Sequence, residues 1–165
     1  MKKKFLLLFA IFFTFFSLIF GAEKYNIIVS DNPSGKLNIN TATQEEMLRA
    51  GVAQGYTEKI ISFRNIKGGI ENINELTRIS GIGEKTCKKL EKFFVIEDVP
   101  PLKELYINTA DDKTLSYYGF DKKEIKQIRK FLEKNKKIEN NIILKEIISK
   151  NKYEKYKNII RYDIY

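Results

Sequence analysis

The chain has 165 residues, 43% of them apolar, and its 30 basic and 21 acidic side chains give a formal net charge of +9. It contains no histidine and a single cysteine. Histidine triads, histidine metal sites, imidazole acid–base catalysis and an internal disulfide are therefore excluded.

In chain order, Lys2, Lys3 and Lys4 precede an apolar run from Phe5 to Phe20, closed by Gly21-Ala22. A basic start, an apolar middle and small residues at the exit are the layout of a secretory signal. The cleavage point is not clean: a cut after Ala22 places bulky Phe20 three positions back, and a cut after Gly21 places Ile19 there. The alternative is a retained membrane anchor, although a helix over residues 5–20 reaches only about 24 Å against a hydrocarbon core of about 30 Å. Residues 1–22 thus predict export, periplasmic or extracellular, with residues 5–20 as the anchor if one is kept. Residues 23–36 contain Ser30-Asp31-Asn32-Pro33-Ser34-Gly35, a turn-forming cluster without helical period that reads as a linker.

The next stretch predicts a helix capped by Thr41 or Thr43, with Glu45 and Glu46 in its first turn, where carboxylates suit the helix dipole. Thr43 followed by Glu46 fits a capping box. This helix stops near Gly51, at Gly51-Val52-Ala53-Gln54-Gly55. A second helix carries Ile60, Ile61 and Phe63 inward and Lys59 and Arg64 outward, and Gly68-Gly69 ends it. Leu76 and Ile79 mark the buried side of a third helix.

Ser80-Gly81-Ile82-Gly83 then leads into a fourth helix. On a helical wheel Lys85, Lys88, Lys89 and Lys92 share one arc, and Thr86, Cys87, Leu90, Phe93 and Phe94 share the opposite one. Glycine allows a tight turn and close approach of a ligand to the main chain. The first N–H groups of the following helix have no partner within it, and its dipole makes that end positive. Such a turn suits an anion, phosphate above all. The alternatives are ordinary turn packing and a solvated lysine face. Cys87 reads as a packing residue.

These motifs resemble the helix-hairpin-helix family. Leu37-Asn38-Ile39-Asn40-Thr41-Ala42-Thr43, Glu45-Glu46-Met47, Ile60-Ile61-Ser62-Phe63-Arg64, Gly69-Ile70, Asn74-Glu75-Leu76 and the glycine turn follow the order of the paired-hairpin domain in ComEA-type competence DNA receptors. The resemblance implies an all-α fold and non-catalytic, sequence-independent binding of DNA, with no cofactor and no metal. It implies that backbone N–H groups around Gly81, Ile82, Gly83 and Glu84 hold one phosphate and that Lys85, Lys88 and Lys89 add charge. Gly51, Val52 and Ala53 would face the other strand of a duplex. Ala53 stands where the family has a second glycine, so this first hairpin either binds weakly or only packs.

Val99-Pro100-Pro101 breaks any helix, and beyond it the chain repeats itself at a spacing of 68. Ile107-Asn108-Thr109-Ala110 copies Ile39-Asn40-Thr41-Ala42, and Gly119, Ile128, Phe131, Leu144 and Ile147 match Gly51, Ile60, Phe63, Leu76 and Ile79. A similarity of fixed period denotes a duplicated unit. At that spacing, without a gap, Ser149-Lys150-Asn151 falls on Gly81-Ile82-Gly83, and Gly119-Phe120-Asp121 falls on Gly51-Val52-Ala53. Tyr153, Tyr156 and Ile160 keep an apolar face, whereas Tyr162 and Tyr165 are undecided between core and stacking on bases.

Charge moves the other way. Residues 23–98 hold 11 basic and 11 acidic side chains, and residues 99–165 hold 16 and 10. Lys122, Lys123, Lys126, Arg129, Lys130, Lys134, Lys136 and Lys137 crowd one helix and its end, above a stripe of Ile125, Ile128, Phe131 and Leu132. This helix reads as a set of salt-sensitive phosphate contacts or as a solvated face, with a protein surface or an acidic polymer as a third reading.

The expected organisation is a signal or anchor at 1–22, a linker at 23–36, a paired-hairpin domain at 37–98 and a degenerate basic repeat at 99–165. The expected function is an exported DNA-binding protein with nucleic acid as partner, membrane uptake machinery as a further partner and no small-molecule substrate. The competing function is an exported structural or protein-interaction module that keeps the fold without DNA.

Overall fold

The computed structural model describes residues 35–162. The apolar segment 5–20, most of the linker and Tyr165 lie outside the described residues.

The chain folds as two copies of one helical unit. In the first, strand β1 (Leu37–Asn38) leads to α1 (Gln44–Arg49), α2 (Gln54–Lys67), a 3-10 helix (Ile73–Arg78), α3 (Glu84–Leu90) and β2 (Phe94–Val95). The second runs β3 (Leu105–Tyr106), α4 (Asp112–Tyr117), α5 (Lys122–Asn135), α6 (Asn141–Ile147), α7 (Lys150–Tyr156) and β4 (Ile160–Arg161). The fold is all-α apart from two-residue parallel pairs that clamp the ends of each unit, Leu37 against Phe94 and Leu105 against Ile160.

Local sequence accounts for the elements. Thr43 caps α1 through a complete capping box with Glu46, as expected. Asn72 and Asn140 cap the 3-10 helix and α6 with their side-chain oxygens. The Asn40 amide joins three segments: its Oδ1 accepts the Ile70 N–H at 2.8 Å and its Nδ2 donates to the carbonyls of Ile70 and Asp98. Asn108 does the same with Ile138 and Tyr162. The copied Ile-Asn-Thr-Ala motif is therefore a packing device.

The gapless repeat holds only as far as Ile147. From α7 onward the two units are related by 66 residues: α3 starts at Glu84 and α7 at Lys150, and β2 starts at Phe94 and β4 at Ile160. The second unit is thus two residues shorter in its last turn. Ile148 and Ser149, both extended, replace the longer Ser80–Gly83 bend. Three other expectations change. The segment bearing Leu76 is a 3-10 helix rather than an α-helix. The α3 helix ends at Leu90, so Lys92 and Phe93 lie beyond it and Phe94 sits in β2. Arg64 turns inward, donating to the Ile39 carbonyl at 2.9 Å.

One apolar core gathers around Ile39, Met47, Ile60, Phe63, Leu76 and Leu90, and the other around Ile107, Leu115, Tyr118, Ile128, Leu144 and Tyr156. Tyr117 joins the first core from the second unit, its ring 4.6 Å from that of Phe63. Polar contacts also cross between units. Lys67, fully buried, meets Glu71 at 2.7 Å and Glu75 at 2.8 Å, while Lys155 reaches Glu71 at 3.1 Å. Arg78 bridges Glu75 and the Tyr117 carbonyl. The Tyr118 hydroxyl donates to the Lys103 carbonyl at 2.8 Å, and burial pushes its pKa up to about 12. Gly68, at φ +101, lies so close to the connector that a Cβ would stand 2.7 Å from the Lys103 nitrogen and the Pro101 oxygen.

Candidate functional site

Three of the four hairpins follow one local rule with different endings. Gly51, Gly81 and Gly119 have φ of +96, +86 and +81, a region that costs other L-residues about 1–2 kcal/mol. An apolar residue follows each, Val52, Ile82 or Phe120, and plugs the core at 1–3% exposure. The next residue, Ala53, Gly83 or Asp121, is the helix N-cap. The left-handed turn thus falls on the first glycine. Gly83 itself has φ −84, and a Cβ added there would meet nothing within 4 Å. Its missing side chain leaves space in front of the helix rather than permitting a bend.

This geometry redistributes the expected donors. The Ile82 N–H is not available: it donates to the Ile79 carbonyl at 2.9 Å, which closes the turn as Ile82 enters the core. Gly51 and Val52 likewise donate to Leu48 and Met47 at 3.0 and 2.9 Å. The N–H groups that keep no acceptor among the described residues are those of Gly81, Gly83, Glu84, Lys85 and Thr86 in one hairpin and of Ala53, Gln54 and Gly55 in the other. Neither Ala53 nor Gly83 carries a capping side chain, and Ala53 at φ −63 is unstrained.

Gly81, Gly83, Glu84, Lys85, Lys88 and Lys89 are exposed, so the second unit does not cover this hairpin. Lys59, expected to point away, donates to the Ser80 carbonyl at 2.9 Å and fastens α2 to the glycine turn. Cys87 donates to the Ile73 carbonyl from the opposite side of α3, and burial pushes its thiol pKa up.

In the second unit Asp121 caps α5 and Glu124 accepts the N-cap N–H groups at both corresponding helix starts, although Ser149 makes no side-chain cap to α7. Asp121 Oδ1 accepts the Glu124 N–H at 2.8 Å, and Glu124 Oε2 accepts the Asp121 N–H at 3.1 Å. Glu124 Oε1 then crosses to α7 and accepts both the N–H and the hydroxyl of Ser149. Lys152 donates to the Gly119 carbonyl, and burial lowers its pKa. Asp121 with Glu124 three residues later is a legible capping box. The cross-link to Ser149 has no signal in local sequence. Among the described residues no cluster of acidic or cysteine side chains is placed to hold a metal ion.

Comparison with known proteins agrees with this geometry. Residues 33–95 match the helix-hairpin-helix motif family. ComE operon protein 1 of Bacillus subtilis is 39% identical over 72 residues, which is 42% of this chain and 35% of the relative. The human endonuclease/exonuclease/phosphatase family domain-containing protein 1 is 37% identical over 68 residues, 41% of this chain and 11% of the relative. An uncharacterized protein of Haemophilus influenzae is 38% identical over 58 residues, 34% of this chain and 52% of the relative. The chain therefore spans only part of each relative, and no solved structure matches it. Over residues 33–95 the chain is thus similar to the helix-hairpin-helix motif family and, in part, to ComE operon protein 1.

Proposed function

We propose that this protein is an exported, non-catalytic, sequence-independent DNA-binding protein whose first unit holds phosphates of a duplex through hairpin backbone amides. The observation that carries the reading is the pair of helix starts at Gly83 and Ala53, whose N-cap N–H groups keep no acceptor among the described residues, while the equivalent N–H groups of Asp121 and Ser149 in the second unit are both accepted by Glu124. Backbone N–H groups at a helix start favour an anion through both hydrogen bonds and dipole. Phosphate contacts of this type fix position on a duplex and carry no sequence information. Lys85, Lys88 and Lys89 would add charge beside the site. Glu84 opposes it, and α3 is short, so affinity depends on both hairpins acting together.

Export rests on the Lys2–Ala22 segment, and a role in DNA uptake rests on the similarity to ComE operon protein 1. The domains would follow the two units, 37–98 and 99–165. The competing reading, a structural or protein-interaction module, draws on the closed hairpins of the second unit.

Titrating the mature protein with duplex DNA at several salt concentrations, alone and as Gly83→Asp, separates the two. The proposal expects log affinity to fall by about 0.9 per tenfold salt for each phosphate neutralised. It also expects a marked loss in Gly83→Asp with helicity retained. An absence of binding at low salt would transfer the protein to the second reading.

A further inference from the structure

The α5 helix carries a surface that the hairpin mechanism does not use. On a helical wheel Lys122, Lys126, Lys130, Lys123 and Lys134 fall within a sector of about 120°, and Glu133 is the sole acid among them. All five lysines are exposed, and none forms an ion pair among the described residues. Arg129 is not part of the set, because it is held by Asp112 and the Ala110 carbonyl.

The equivalent helix of the first unit has nothing comparable. At the spacing of 68 that relates α2 to α5, the five positions are Gln54, Gly55, Glu58, Ser62 and Ile66. The stripe is therefore peculiar to the copy in which Glu124 occupies the N-cap N–H groups of Asp121 and Ser149. The two differences are linked by chemistry. With the N-cap N–H groups of Asp121 and Ser149 both held by Glu124, side-chain charge is the means this unit has added for engaging a polyanion, with cations gathered where the equivalent helix of its sibling has none.

We propose that this lysine face of α5 is a second contact surface for the phosphodiester backbone of nucleic acid, working by side-chain charge where the first unit works by backbone amides. The proposal rests on the DNA-binding reading above. Charge complementarity identifies the occupant. From Lys122 to Lys134 the helix rises about 18 Å, so the five cations follow one another about every 4.5 Å along the axis, a linear array on the scale of the 3.4 Å per charge along one strand of a duplex. A compact acidic protein patch offers no such linear match. Lysine heads on flexible stems suit phosphates of any sequence.

The test compares wild type, Gly83→Asp, and a variant with Lys122, Lys123, Lys126, Lys130 and Lys134 all changed to Gln, by the slope of log affinity against log salt on one duplex. All five side chains are exposed, so the Gln variant should keep its helical circular dichroism. The expected result is a slope reduced by about 0.9 for each lysine in contact, with affinity at low salt at least about tenfold weaker. Gly83→Asp should lose affinity while keeping most of the slope. If wild type binds and the Gln variant has the same slope, the α5 surface is refuted and the hairpin reading stands. If the Gln variant loses binding but Gly83→Asp does not, the hairpin reading fails and the α5 surface stands. No binding by wild type refutes both. Binding to vesicles of anionic lipid that the Gln variant loses, with its DNA slope unchanged, would assign the stripe to a membrane and overturn the proposal.

Discussion

One oxygen of the Glu124 carboxylate accepts both hydrogens that Ser149 offers, the backbone N–H at 3.1 Å and the hydroxyl at 2.8 Å. The other oxygen closes the capping box with Asp121. A single side chain, 7% exposed, thus ties the start of α5 to the start of α7. Glu124→Ala removes the acceptor from three donors, and leaving such groups unmatched costs about 1–3 kcal/mol. The denaturant midpoint should fall accordingly, while Glu133→Ala on the exposed side of α5 should leave it within error.

Gly81 and Gly83 are two residues apart and should respond in opposite ways. A Cβ at Gly81 would be strained at φ +86 and 2.9 Å from Lys59 Nζ, so Gly81→Ala should destabilise by about 1–2 kcal/mol. Gly83→Asp meets open space at an ordinary backbone angle and supplies a favoured capping residue. Its stability should be unchanged or higher by about a few tenths of a kcal/mol. Thermal melts of the two variants decide the point. Loss of DNA binding in Gly83→Asp without loss of stability would separate an occupied site from a damaged fold.

What the sequence disclosed and what it concealed divide along the range of the interaction. The caps at Thr43 and the turns at Gly51, Gly81 and Gly119 depend on neighbours a few residues away, and their residue types declare them. The change of repeat spacing from 68 to 66 was hidden because Ile147 matches Ile79 and the lysine-rich α7 offers no landmark against which to place a gap. The Ile82 amide, an obvious donor in the sequence, is removed by a turn bond to Ile79 that only the backbone conformation reveals. The contacts between units were equally invisible: nothing local marks Lys155 as the partner of Glu71 or Arg78 as that of the Tyr117 carbonyl, and Lys67 and Glu75, which look like surface residues in sequence, lie 0% and 5% exposed.

Lys67 gives the clearest test of the junction between units. Lys67→Met would leave the Glu75 carboxylate buried with Arg78 as its remaining cation, 3.1 Å away. Removing one member of a buried ion pair costs about 3–5 kcal/mol, because the partner's charge stays out of water. Urea denaturation should show a loss of that order. Replacing Glu75 together with Lys67 should recover part of it.

The same cluster makes stability depend on pH. Burial by itself would raise the pKa of Glu71, but hydrogen bonds from Lys67 and Lys155, with their charges, outweigh it and hold the carboxyl below its ordinary value of 4.5. A group with a depressed folded pKa contributes stability that is complete above its unfolded value and disappears as pH falls through its folded value. Stability from this group should therefore be flat near neutrality and decline below about pH 4.5. Glu71→Gln should flatten that decline in unfolding curves measured between pH 6 and 3.

Tyr156 supplies the opposite kind of prediction, a substitution that helps. Its ring is 1% exposed, packed edge-on to Tyr118 and stacked near Phe120, and its hydroxyl is buried without a hydrogen-bond partner among the described residues. Burial raises the hydroxyl pKa, so the group stays neutral. An unmatched buried hydroxyl costs about 1–3 kcal/mol relative to water. Tyr156→Phe keeps the ring and its contacts, and removes that cost with one oxygen atom. The variant should melt at the same temperature as wild type or higher. A loss of more than about 1 kcal/mol would mean that the hydroxyl is hydrogen-bonded after all. Tyr118→Phe is the matched control: its hydroxyl donates to the Lys103 carbonyl at 2.8 Å, so the same removal should weaken the connector and lower the melting temperature.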